Sequence, residues 1–263
     1  MFLVMVVAEM ALGAAVAPKG KSAYHFNDLL GSIASGTCQQ LFVAVSSKFL
    51  NPKKSYGFVH KHYRLGDFDV KSRPITAWFC LFLGVDLASY WAHRTLHVLQ
   101  AGWAAHSVHH SGEDYNLATA LRQGALQPFV TWAFSVPLAL VFPAESILIH
   151  LQLNTLYQFW IHTEMCGRLG PLEYTLNTPF HHRMHHRPPG NRNYAGVLII
   201  WDRLFGTYEA ETERLDYFGL AESAQTFNPV GLNLAHWRKM GRFGILRGGG
   251  FWNLLRLSAS KRR

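Results

Sequence analysis

Asp86-Leu-Ala-Ser-Tyr90-Trp-Ala-His93-Arg-Thr-Leu-His97, followed eight residues later by His106-Ser-Val-His109-His110, is the stretch that decides the fold. A helix advances about 100° per residue, so Asp86, Tyr90, His93 and His97 lie on one face. His106, His109 and His110 take the i, i+3, i+4 spacing, which projects three imidazoles to one side of a helix. His182-Arg-Met-His185-His186 repeats that spacing some seventy residues on.

Two neutral imidazoles one turn apart can bind a metal ion without distorting the backbone. Eight clustered histidines exceed the four to six positions of a single first-row ion, so the sequence implies two ions. Soluble di-iron bundles rely on carboxylates, whereas these clusters contain almost none. Imidazole also suits zinc, copper and nickel, so spacing alone does not name the metal. Asp86 lies inside an apolar helix, where an ionised carboxylate needs partners. It is expected to accept the free N–H of a ligand imidazole, with a salt bridge to Arg94 as the alternative.

Working outward, the chain reads as a membrane protein. Of its 263 residues 49% are hydrophobic, 14% aromatic and only 16% charged, and the apolar residues gather into runs. The net charge of +9 is scattered between those runs, which points to anionic headgroups and away from nucleic acid. Cys38, Cys80 and Cys166 share no short spacing, so neither a disulfide framework nor a zinc knuckle is supported.

Residues 1–17 read as a short or tilted first membrane helix, a cleaved leader being the alternative. Leu29 to Leu50 reads as a helix packed among others, and Ser55 to Arg73 as an interfacial segment with His60 and His62 at its surface. Pro74 opens a third helix that runs into the first histidine motif. Pro128 to Phe142 and Ala144 to Thr163 form a hairpin of two crossings, which returns the third cluster to the face of the second. The arginines of that face make it cytosolic. His162 closes the hairpin and reads as a ninth ligand, with Glu164 as a supporting carboxylate. Asp202-Arg203 reads as a surface ion pair, and Phe227-Asn-Pro229 as a docking strand or loop.

The expected fold is all-α: an integral membrane bundle of about four to five helices with a cytosolic helical cap carrying the clusters. Residues 1–74 form N-terminal membrane helices and an interfacial segment, 75–208 a catalytic domain, and 209–263 a polar cytosolic tail.

The set His-x3-His, His-x2-His-His, His-x2-His-His resembles the membrane fatty acid hydroxylase and sterol desaturase superfamily. Longer stretches sharpen the likeness: His106-Ser-Val-His-His-Ser-Gly-Glu113-Asp-Tyr-Asn116, Leu121-Arg-Gln, Trp160-Ile-His162-Thr-Glu164 and Trp201-Asp-Arg-Leu-Phe-Gly-Thr207. They are similar to the branch of that family that cleaves ether lipids.

The resemblance implies two iron ions, O2 as co-substrate and tetrahydrobiopterin as electron donor. The substrate would be a 1-O-alkylglycerol or its lyso-phospholipid relative, entering from the bilayer of the endoplasmic reticulum. A sterol or fatty acid hydroxylase or desaturase on the same scaffold is the alternative. Related hydroxylases place a second histidine where Gln158 stands, four residues before His162. The resemblance also implies further hydrophobic spans where the chain runs from Arg247 to Arg263, so it reads as a truncated form, an inactive one being a further alternative.

Overall fold

The computed structural model describes residues 1–16, 24–66, 72–188, 190–210, 218–220, 222 and 226–243. Among these residues the fold is all-helical. The only strand-like feature is a single antiparallel bridge between Leu176 and Leu198. The helices are α1 (Phe2–Val16), α2 (Phe26–Ser46), α3 (Pro52–Tyr63), α4 (Pro74–Val98), α5 (Gln100–His106), α6 (Gln127–Thr131), α7 (Ala144–Trp160), α8 (Pro179–His186), α9 (Ile200–Leu204) and α10 (Pro229–Phe243).

Of these, α2 and α4 are long and apolar enough to cross a membrane. Pro74 opens α4 because a first-turn proline gives up no hydrogen bond and presets the helical φ. The expected fourth helix is different in kind. Residues 127–140 form the short α6 and then a tight 3-10 run, Trp132–Leu140, with Pro137 inside it. Pro137 has no N–H to donate, which works against a continuous α-helix.

The bundle core sits at the end away from the histidines. There Tyr56 of α3 meets Ala77, Leu81 and Val85 of α4, Ala139 and Phe142, and Ile147 of α7. Full burial of a side chain such as Leu81 or Ile147 contributes about 1.5–3 kcal/mol. Gly84 lets the 3-10 run approach: a Cβ there would lie 2.8 Å from Leu138. His60, expected at the surface, is half-buried, and its Nδ1 pairs with the Ala139 carbonyl at 3.0 Å.

Large apolar side chains are exposed along the bundle: Leu41 and Val45 on α2, Trp78, Phe79 and Leu83 on α4, Ile149, Leu153 and Leu156 on α7. Such a girdle suits hydrocarbon surroundings. Both ends of the bundle carry cations. Lys53, Lys54, Lys61 and Arg64 lie at the α3 end, opposite the arginines near the histidines, so charge alone does not orient the chain.

Beyond residue 209 the described chain is not simply a tail. Phe227-Asn-Pro229 leads into α10, which packs on α5 and α2, and Asn233 Oδ1 accepts the Ala125 N–H at 2.8 Å.

Candidate metal centre

Helices α4, α5, α7 and α8 end around one point; α4, α5 and α8 carry histidines to it, and His109, His110 and His162 follow just beyond the ends of α5 and α7. The arrangement is not three motifs serving as three blocks. His93, His97, His106, His110 and His185 converge in one group, and His109, His162, His182 and His186 in a second, with the ligand atoms of each group within 4.8 Å of one another. Both His-x2-His-His motifs are split. In each, the i, i+4 pair serves one group and the histidine between them serves the other.

The two motifs reach this split on different backbones. In the first, α5 stops at His106 and the separate 3-10 turn His109–Ser111 carries His109 to the second group and His110 to the first. The second lies on one continuous helix, α8, where His185 stands about 100° from His186 and so serves the other group.

Hydrogen bonds fix which nitrogens face inward. The Nδ1 atoms of His93, His109, His162 and His185 pair with the carbonyls of Tyr194 (2.8 Å), Arg122 (2.9 Å), Gln158 (2.6 Å) and Arg192 (2.7 Å). His106 Nδ1 pairs with Gln127 Oε1 at 2.8 Å. A carbonyl can only accept, so each of these Nδ1 atoms carries the proton and each Nε2 presents a bare lone pair.

Those lone pairs face each other in the His93–His106 and His109–His162 pairs, and the Nε2 atoms of His110 and His182 join them at similar distances. In the first group His93–His106, His106–His110 and His110–His185 Nε2 pairs lie 3.1, 3.2 and 3.1 Å apart. In the second, His109–His162 and His162–His182 lie 3.2 and 3.0 Å apart. Facing lone pairs repel unless a cation lies between them. Nitrogens about 2.1 Å from a shared ion, at angles of about 90–110°, stand about 3.0–3.4 Å apart. The donor sets therefore fit one ion each. Both ring nitrogens of His97, Nδ1 of His182 and Nε2 of His186 are buried without a protein partner; an ion would take up one nitrogen of His97 and Nε2 of His186.

Burial lowers the pKa of His106, His109, His110, His182, His185 and His186 well below the ordinary imidazole value, and mutual repulsion among the rings adds to it. All six are held neutral, the form that binds metal.

The two expected carboxylates play other parts. Asp86 is fully buried but receives no imidazole: its four donors are Asn154 Nδ2 (3.0 Å), Val197 N (2.8 Å), Leu198 N (2.9 Å) and Trp201 Nε1 (2.9 Å). The N–H of His93, on the same face of α4, goes to the Tyr194 carbonyl. Glu164 is exposed, where its charge stays hydrated. The buried carboxylate at that corner is Glu9 of α1, which accepts from Leu117 N at 2.8 Å and from the hydroxyls of Thr163 and Tyr24.

Asp202 is no surface ion pair. It is buried and accepts from Tyr194 N, Ala195 N and Thr207 Oγ1 at 2.8, 2.8 and 2.6 Å, and burial raises its pKa to about 6. Arg203 lies over the Tyr208 ring at 3.8 Å. Sequence reasoning passed over Gln127, Arg122 and Asp202 as parts of the centre. Arg122 and Asp202 lay within stretches that carried the family likeness.

A cavity of about 970 Å³ opens on the centre. His93, His106, His109, His162 and His182 line it, whereas His97, His110, His185 and His186 stand behind them. It runs between α2, α4, α6 and α7 past Ala88, Ala92, Thr131 and Leu148 to Tyr56 and Trp132.

Residues 78–207 match the fatty acid hydroxylase family model. Curated relatives named alkylglycerol monooxygenase include those of Homo sapiens, 47% identical over 83% of this chain and 48% of the relative, and Xenopus tropicalis, 44% identical over 89% and 52%. That of Danio rerio is 55% identical over 57% of this chain and 34% of the relative. The chain thus spans about half the length, or less, of these relatives. No solved structure matches it. With its paired histidine groups inside the matched residues, the chain is a homologue of the alkylglycerol monooxygenases, built on a fatty acid hydroxylase domain.

Proposed function

We propose that the chain is the catalytic part of an O2-dependent monooxygenase that cleaves the ether bond of 1-O-alkylglycerols and their lyso-phospholipid relatives. The observation that carries the reading is the convergence of inward lone pairs on two points at the head of a long cavity between apolar helices. His93, His97, His106, His110 and His185 would hold one iron, and His109, His162, His182 and His186 the other. Two irons supply the binding and reduction of O2, with tetrahydrobiopterin as the external two-electron donor.

The chain's own residues do the rest. The Nδ1 acceptors keep the rings in one tautomer and orientation. The cavity, walled by Ala88, Ala92, Leu148 and Leu151, takes the alkyl chain and keeps bulk water from the reacting carbon. A hydroxyl placed on the carbon beside the ether oxygen makes a hemiacetal, which separates into a fatty aldehyde and a glycerol. One O2, two electrons and two protons balance that step, with one water released.

The same reading makes α1, α2, α4, the α6 and 3-10 run, and α7 the membrane crossings, four to five in all. The histidine end is the cytosolic cap of an endoplasmic reticulum protein. Residues 1–74, 75–208 and 209–263 remain as membrane entry, catalytic domain and cytosolic segment. In support, α7 advances about 1.5 Å per residue, so its 17 residues separate the α3 end from the centre by about 25 Å.

The test is turnover of a radiolabelled 1-O-alkylglycerol with tetrahydrobiopterin in isolated membranes, comparing the chain with His109→Ala. Aldehyde that requires both the pterin and His109 supports the assignment. Two irons per chain with no aldehyde would leave the centre standing and overturn the substrate.

A further inference from the structure

We infer that the two ion sites hang on two separate buried ionic frames, Asp202 for the first group and the Asp28–Arg122 pair for the second, so that each site can be emptied alone. The inference rests on the two-ion reading above and assigns both as positioning residues.

The first frame acts through residues 192–195. Asp202 Oδ1 accepts the Tyr194 N–H and Oδ2 the Ala195 N–H, both at 2.8 Å. Thr207 Oγ1 donates to the same carboxylate at 2.6 Å, and Asn193 N donates to the Thr207 carbonyl at 2.9 Å. The carbonyls of this short segment point the other way, toward imidazoles. Tyr194 O receives His93 Nδ1–H and Arg192 O receives His185 Nδ1–H, and both histidines belong to the first group. Asn193 sits here in the left-handed region at φ 50°, so the segment holds a shape that most residues avoid and needs its bonds to keep it.

The second frame crosses from α2. Arg122 is fully buried. Its guanidinium donates to Asp28 Oδ1 (2.6 Å), the Asp28 carbonyl (2.8 Å), Ser32 Oγ (3.1 Å) and Ser111 Oγ (3.0 Å). Its own carbonyl receives His109 Nδ1–H, a ligand of the second group. Asp86 is unsuited to telling the frames apart, because it bonds both the 197–198 backbone and Asn154 of α7.

The test is a Co2+ titration of metal-free protein in detergent, with uptake followed by cobalt absorption and by elemental analysis. The unaltered chain is expected to take up two equivalents. Asp202→Asn should weaken one equivalent tenfold or more and leave the other at its original affinity, and Arg122→Lys should do the same to the opposite one. Combination identifies the site. Asp202→Asn added to His93→Ala should leave the second equivalent intact, whereas added to His109→Ala it should abolish tight binding altogether; Arg122→Lys should give the reverse pattern. The retained tight equivalent doubles as evidence that the variant has folded. Loss of both equivalents together, loss of neither, or the same combination pattern for both variants overturns the inference. Fewer than two equivalents in the unaltered chain overturns the two-ion reading and the inference with it.

Discussion

Replacing Asp86 with alanine should be among the most damaging single changes in this chain. Four donors converge on its carboxylate from α7, the 197–198 backbone and the Trp201 indole, and the site is sealed from water. Alanine leaves all four unpaired. At about 1–3 kcal/mol for each buried unsatisfied group, the loss is about 4–12 kcal/mol. That rivals the whole stability of an ordinary domain, about 5–15 kcal/mol. Asparagine is the informative comparison. Its single oxygen serves two donors whichever way the amide lies, while its NH2 faces the other two, so the cost falls to about half. Removal of a buried charge offsets part of that. The expected order of stability is therefore Asp, then Asn, then Ala. Thermal unfolding in detergent, with the folded fraction followed by size-exclusion chromatography, measures it. An alanine variant within about 1 kcal/mol of the parent would refute the bonding scheme, as would an alanine more stable than asparagine.

Other changes probe other links. Gln127→Leu removes the acceptor of His106 Nδ1–H and should weaken metal binding about 10–100-fold, while Gln127→Glu should restore it; competition with a chelator of known affinity reads both. Ala88→Phe should plug the cavity below the histidines, so that long-chain turnover falls while two metals per chain are retained. Gly124→Ala places a Cβ 1.9 Å from the Ala105 carbonyl oxygen and should force α5 off its seat, seen as a fall in unfolding temperature. In metal-free protein Asp202 binds its proton more tightly folded than unfolded, with a pKa of about 6 against an ordinary value near 3.9. Its contribution is thus fully present below about pH 4 and lost as pH rises through about 6, worth about 3 kcal/mol. The difference in unfolding free energy between the chain and Asp202→Asn should change by that amount across the window, and a flat difference would refute it.

The histidine spacing made the centre legible because imidazole pairs at i, i+4 leave few other uses for themselves. His162 was legible for a different reason, its place at the end of an apolar helix. What spacing could not convey was the division of labour, since the i, i+3, i+4 pattern puts three rings on one side without telling that the middle one, about 100° from its neighbour, serves a second group. The acceptors were hidden too. Four of the five are backbone carbonyls, and a carbonyl looks the same at Tyr194 as anywhere else. Asp86 was rightly singled out as a buried carboxylate in need of partners, but helical position alone could not show that residues 197–201 would return to supply them. The helix expected over Pro128 to Phe142 failed locally, where Pro137 interrupts the bonding that apolar composition suggests.

The crossed use of the two His-x2-His-His motifs bears on biosynthesis. The first group needs His185 and the second needs His182 and His186, so neither can close while the ribosome has yet to deliver residue 185. By then α1, α2, α4 and α7 have all been made. Metal capture thus follows the laying down of the bundle and cannot template it, so a chain starved of metal should still insert and wait, ready to be loaded afterwards.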